Sequence, residues 1–209
     1  MIIKPDNEML SYSGRIDFDD RLAPVLVYAC SSIGMKFTGT SLKAVIANHR
    51  SCWTNELGYF IDGEQKRFTL SSDEEKKTYT LAEGLSEGTH ELLLFKRMDS
   101  CHTFTFYGFE IDDGAEVLPL PEKPKRKMEF FGDSVSCGEV SEAVAYVGKP
   151  DPEHDGEYSN SWYSYAWMTA RKLNAQIHDT SQGGISLLDD TGWFAAPYYN
   201  CLLYTSPSP

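Results

Sequence analysis

No stretch of this 209-residue sequence approaches the roughly 18–20 consecutive apolar residues that a membrane-crossing helix needs. The N-terminus, M-I-I-K-P-D-N-E, has no basic segment leading into an apolar one, so no secretory signal is visible. A cytoplasmic location is the expectation on that ground, with secretion as the alternative. Cysteine is sparse: Cys30, Cys52, Cys101, Cys137 and Cys201 are scattered, odd in number and never in C-x-x-C spacing. That pattern argues against a disulfide framework or a zinc site and reads as free thiols or core fillers. Positive charge is also short. With 19 Lys and Arg against 31 Asp and Glu, the formal net charge is −12, a field that repels polyanions. Neither nucleic acid nor a membrane is expected as a partner. No internal repeat of about 20–50 residues is evident.

What the chain has in quantity is apolar and aromatic side chains, 41% and 13% of residues, enough for packed cores. Between residues 11 and 112 these fall in short runs separated by turns, such as Y-F-I-D-G-E-Q-K-R-F-T-L and H-T-F-T-F-Y-G-F-E-I. Phe104 and Phe106 alternate with Thr103, Thr105 and Tyr107, the period-two signature of a strand with one buried face. Asp62-Gly63 is a two-residue hairpin turn. Seven or eight such strands without a convincing helix predict a β-sandwich of jelly-roll type over residues 1–112. Residues 113–127 carry three prolines and no hydrophobic period and read as a linker, with the boundary near Leu120. Its K-P-K-R-K cluster is short and lies in an acidic protein, so it reads as a solvated linker.

After the linker the pattern becomes α/β. The apolar run Phe130–Phe131 passes directly into Gly132-Asp133-Ser134 and on to Gly138. A buried strand that ends in a tight turn looks like this, and the turn lifts Ser134 into the open at the strand's carboxyl end. Asp133 is suited to hold the bend through backbone N–H groups. Ser161–Asn174 reads as a helix, with Trp162, Ala166, Thr169, Ala170 and Leu173 at spacings of three and four. Asn160 or Ser159 is placed to cap it, Arg171 and Lys172 suit its C-terminal end, and Trp162, Trp167 and Met168 read as core. A-Q-I-H-D-T is then a second strand running into S-Q-G-G-I. Two parallel strands would set Ser134 beside Gly183-Gly184. That is the pairing acyl transfer requires: a nucleophilic oxygen, and backbone N–H groups aimed at the oxyanion.

Together these pieces resemble the SGNH (GDSL-type) hydrolases, and the chain as a whole resembles carbohydrate esterase family two. The resemblance is carried by S-G-R-I-D-F (13–18), F-T-G-T-S-L (37–42), F-F-G-D-S-V-S-C-G-E (130–139), S-Y-A-W-M-T-A-R-K-L-N-A (164–175) and S-Q-G-G-I-S-L-L-D-D-T-G-W-F (181–194). It implies a jelly roll followed by a flavodoxin-like parallel-sheet esterase domain. Ser134 is then the nucleophile and, through its own N–H, one oxyanion donor. Gly183 supplies another donor, with Gly184 as second choice, and Asp133 supports the turn. The implied substrate is an acetylated plant polysaccharide or its oligosaccharides, of xylan or glucomannan type. No metal or organic cofactor is implied.

Two parts of the family pattern are missing: the Asp-x-x-His block with the catalytic histidine and the Gly-x-Asn-Asp block with a further oxyanion donor. The α/β portion, 128–200, is therefore expected to be the N-terminal part of its domain. Residues 201–209, C-L-L-Y-T-S-P-S-P, are expected to be foreign to the natural reading frame. His178, at the end of the second strand, and His154, in the loop after the nucleophile, are the substitutes for a base, and neither is favoured; His49, His90 and His102 belong to the sandwich and receive no role. Without a base the serine stays weakly nucleophilic, so the chain is expected to be essentially inactive. Two alternatives stand: a non-catalytic carbohydrate-binding protein, with Trp53, Tyr59 and Tyr107 as candidate stacking residues, or an esterase acting on small acyl esters or lipids.

Overall fold

A computed structural model describes residues 1–186 of the chain. The strand-rich first half, expected to hold seven or eight strands, forms twelve in two six-stranded antiparallel sheets. In order they are β1 (Ile2–Ile3), β2 (Ser11–Ser13), β3 (Ile16–Asp17), β4 (Val25–Leu26), β5 (Ser32–Thr38), β6 (Leu42–Arg50), β7 (Glu56–Ile61), β8 (Glu64–Thr69), β9 (Lys77–Ala82), β10 (Thr89–Lys96), β11 (His102–Ile111) and β12 (Val117–Leu118). One sheet runs β3-β4-β11-β6-β9 with β1 beside β11. The other runs β12-β5-β10-β7-β8 with β2 beside β5. The result is a jelly-roll-like sandwich.

Its core is the inner face of both sheets. Phe37, Leu42, Ile46, Leu94, Phe104, Phe106 and Phe109 have no exposed surface, and burying each such side chain contributes about 1.5–3 kcal/mol. Phe104 and Phe106 obey period two, but Phe109 is three residues further on. A β-bulge between Phe106 and Gly108 shifts the register and turns Phe109 inward as well. Gly108 allows it: φ is +128°, and a Cβ there would stand 2.4 Å from the Ile3 carbonyl oxygen. The Asp62-Gly63 turn joins β7 to β8 with both residues at positive φ (52° and 84°), as a two-residue hairpin requires.

The expected linker is partly built into the fold. β12 lies inside it and pairs with β5, Val117 opposite Phe37 and Leu118 opposite Lys36. At its far end, Arg126 and Lys127 already belong to the next strand. Residues 113–116 and the stretch between β12 and Arg126 are free of regular structure, the latter because its prolines cannot donate to a ladder.

The second half contains β13 (Arg126–Gly132) and β14 (Ala175–Ser181), paired in parallel, with Phe131 opposite Thr180 and Gly132 opposite Ser181. The helices α1 (Ser134–Cys137) and α2 (Tyr165–Lys172) lie between them in sequence. The helix predicted over Ser161–Asn174 is broken. A 3₁₀ turn, Ser161–Tyr163, capped by Asn160, ends at Ser164, whose ψ of 148° leaves the helical region; the Ser164 hydroxyl then caps α2 by accepting from Trp167 N–H (3.1 Å). Two good cap residues four apart make two short helices instead of one. Trp167 is buried as expected and Trp162 packs beside it, ring centroids 4.9 Å apart. Met168 is not core; it is half exposed.

Ala29, Cys30 and Phe95 of the sandwich pack with Cys137, Ala166, Trp167, Ala170 and Ile177 of the second half, so one apolar cluster joins the two. Phe131, Val135, Tyr165 and Met168 stay exposed. Cys30, Cys52, Cys101 and Cys137 are free thiols, while Cys201 and the suspected tail 201–209 lie outside the described residues.

Candidate active site

Ser134 begins α1 directly after β13. Asp133 is its N-cap and accepts the Val135 N–H at 3.0 Å, and Gly138 ends the turn at φ +78°. Gly132 is required by space rather than by a left-handed backbone. A Cβ there would fall 1.9 Å from Ser136 Oγ, which is buried and bonded to the Tyr165 hydroxyl at 2.9 Å. The serine itself is half exposed.

The second turn follows β14. Gln182 N–H donates to the Gly132 carbonyl at 3.2 Å, tying the two turns together. A Cβ on Gly183 would lie 3.8 Å from Ser134 Cβ, so the serine and the glycine turn are adjacent, as the parallel pairing predicts. The same imaginary Cβ would meet Asp99 Oδ2 at 2.9 Å and Glu139 Oε2 at 3.0 Å. Two carboxylates thus close on the glycine. Gly183 N–H donates to Asp99 Oδ2 at 2.8 Å, whereas Gly184 has φ +73° and its N–H makes no hydrogen bond to another described residue.

Asp99 comes from the sandwich, on the loop between β10 and β11. Burial pushes its carboxyl up, but hydrogen bonding from His102, the charge of Lys96 and the Gly183 N–H together hold it below the usual carboxylate range. Lys96 is fully buried and donates to the carbonyls of Met98 and Asp99. Burial lowers its ammonium to about 8. Glu139 moves the other way: burial, and then the negative charge of Asp99, raise it. Asp99, His102, Lys96 and Glu139 were not singled out by sequence reasoning. The available signal was K-R-M-D-S-C-H, a charged stretch that ends an apolar strand.

Neither substitute histidine bonds to Ser134. His178 sits opposite Glu129, three residues before β14 ends, about 10 Å from the turn at the rise of a strand. Burial holds its imidazole below the usual range. His154 accepts the Gly156 N–H on Nδ1 (3.1 Å), and its ring lies 4.7 Å from that of Trp53. Of the candidate stacking residues, Tyr59 is buried with its hydroxyl on the Leu81 carbonyl (2.9 Å), and Tyr107 lies under Lys76. Trp53 is half exposed and lines a small crevice with Asp99 and Glu139. No cluster of three metal-ligating side chains exists among the described residues.

Residues 12–121, over half the chain, match the family model described as Carbohydrate esterase 2 N-terminal. The chain belongs to carbohydrate esterase family two. Relatives of this family two chain include the cellulase/esterase CelE of Acetivibrio thermocellus, 32% identical over 92% of the chain and 23% of that protein. Another is the acetylxylan esterase/glucomannan deacetylase of Cellvibrio japonicus, 27% identical over 76% of the chain and 44% of that protein. Among solved structures, a family two carbohydrate esterase from Clostridium thermocellum in complex with cellohexaose superimposes with a TM-score of 0.78, at 30% identity. There the match covers 90% of this chain and 55% of that one. The chain thus spans under half of either curated relative and about half of the solved one.

Proposed function

We propose that this family two chain carries the sandwich and the nucleophile half of an SGNH-type serine acetylesterase that removes O-acetyl groups from plant polysaccharides or oligosaccharides. The observation that carries it is the adjacency of Ser134, lifted on the capped turn after β13, to the Gly183-Gly184 turn after β14. In this reading Ser134 Oγ attacks the acetyl carbonyl, and the Ser134 N–H with a glycine-turn N–H receives the oxyanion. Gly184 is the better candidate for that donor, because the Gly183 N–H is already committed to Asp99. The alcohol of the sugar leaves with a proton, and water then releases acetate from the serine. Both proton transfers need a base of the kind histidine supplies. None of the five histidines of this sequence, all among the described residues, bonds to Ser134, so none of them is assigned as the base. The substrate class rests on the Cellvibrio relative, an acetylxylan esterase/glucomannan deacetylase, and on the cellohexaose bound in the Clostridium one.

A fluorophosphonate probe tests the reading. In a protein extended to the length of its relatives, Ser134 should be labelled and acetylxylan deacetylated, and Ser134→Ala should abolish both. The 209-residue chain itself should deacetylate at least about 10⁴-fold more slowly than the extended protein, the usual loss when a catalytic base is removed. Retained oligosaccharide binding with no labelling of the extended protein would instead support a carbohydrate-binding module.

A further inference from the structure

We infer that Asp99 is a positioning residue for the esterase reaction, and that the sandwich, through its β10–β11 loop, sets the Gly183-Gly184 turn against Ser134. The inference rests on the proposed role of Ser134 and of that turn. Two adjacent residues of the loop grip two adjacent residues of the turn. Asp99 Oδ2 accepts from Gly183 N–H at 2.8 Å, and Ser100 Oγ donates to Gln182 Oε1 at 2.7 Å.

The grip is itself anchored. Asp99 Oδ1 accepts from Cys101 N–H (3.1 Å) and lies 3.2 Å from His102 Nδ1, with the His102 side chain 1% exposed. Behind the loop, the Lys96 ammonium holds the carbonyls of Met98 and Asp99. A charge-assisted bond from a fixed carboxylate to a backbone N–H is among the stronger single contacts available to a turn. It also decides which donor faces the substrate. With the Gly183 N–H drawn toward the sandwich, the Gly184 N–H is left as the donor of this turn. A side chain at position 183 would push on the same grip, since its Cβ would stand 2.9 Å from Asp99 Oδ2 and 3.0 Å from Glu139 Oε2.

Asp99 touches a backbone amide and is given no part in the bond-making, so its effect is on geometry. Misplacing a catalytic group by about 1 Å costs on the order of 10² in rate. Asp99→Ala should therefore lower kcat on p-nitrophenyl acetate by about 10–100-fold in the protein extended to its relatives' length, with KM within about twofold. Asp99→Asn keeps an oxygen that can accept the Gly183 N–H and should recover most of that loss, which a general loss of stability would not do. In the 209-residue chain, ¹H–¹⁵N spectra give a second reading that needs no turnover. The Gly183 amide proton should be shifted downfield by its charge-assisted bond and should move upfield in Asp99→Ala, with the Gly184 resonance moving too.

An unchanged kcat in Asp99→Ala, or Gly183 and Gly184 amides that do not move, overturns the inference. If Asp99→Ala does not fold, Asp99→Asn and Ser100→Ala carry the same amide comparison. A wild-type extended protein with no Ser134-dependent turnover removes the proposed function instead, and the two amide resonances then decide alone whether Asp99 holds the turn.

Discussion

Phe104, Phe106 and Phe109 in the sandwich and Lys96, Arg97 and Asp179 at the seam between the halves are equally hidden from water. They hold their surroundings in opposite ways. The phenylalanines pack without direction, with the rings of Phe106 and Phe109 4.7 Å apart. Arg97 makes directed bonds: Nε to the Ser159 carbonyl at 3.0 Å and Nη2 to Glu142 Oε2 at 2.7 Å. The backbone of this strand end joins in, since the Arg97 carbonyl takes the Ser161 N–H and the Lys96 carbonyl takes the Ser161 hydroxyl. Apolar burial drives collapse, and directed bonds of this kind fix how one half sits on the other. The sandwich core could tolerate a neighbour in several orientations; this seam fits one.

The comparison can be broken most forcefully with a pair of truncations. Phe106→Ala should cost about 3–5 kcal/mol as a large core cavity does. Arg97→Ala should cost about 1–3 kcal/mol, because the Ser159 carbonyl loses its partner while Glu142 keeps Asn160 and the more distant Arg67. Their unfolding should differ in form. In urea, Arg97→Ala should release Trp162 and Trp167 fluorescence before the far-ultraviolet β signal is lost, while Phe106→Ala should lose both together. Coincident transitions in Arg97→Ala would show that the seam is not what joins the halves.

Asp179 sharpens it through pH. Burial raises this carboxyl to about 7, against lowering contributions from Ser181, Cys30 and Lys96. The folded state then holds a proton that the unfolded state has released, so this group's contribution to stability is full below about pH 4 and is lost as pH rises through about 7. Asp179→Asn should remove that slope and be the more stable protein at pH 8, by up to about 4 kcal/mol. Urea midpoints across pH 4–8 for both proteins measure it. Equal slopes would mean that the Asp179 proton is not retained on folding.

The smallest effect is local. Ser164→Ala removes the cap of α2 and should cost about 1 kcal/mol, read as a lower thermal midpoint with the sandwich signal unchanged in shape.

Much of this was legible beforehand. Alternation around Phe104, the Asp62-Gly63 turn, and the strand-turn-serine and strand-turn-glycine pair all rest on local pattern, and local pattern is what a sequence displays. Two errors of detail were also local: the Ser161–Asn174 periodicity hid a break at Ser164, and part of the linker was strand because β5 offered it a free edge. The seam was not legible. His102 reads in sequence as one more sandwich residue, and nothing local distinguishes Asp99. Asp99 finds Gly183 across 84 positions, and nothing in D-S-C-H announces a partner that distant.

That distance has a kinetic consequence. Ser161 reaches back 65 positions to Lys96, Cys30 reaches Asp179 across 149, and Arg15 reaches Thr180 across 165. Closing long loops has an entropic cost and slows folding. As the polypeptide leaves the ribosome, the sandwich can collapse first, with the strand end at Lys96 and Arg97 already in place. The second half would then condense onto a finished surface, with the sandwich as its folding template.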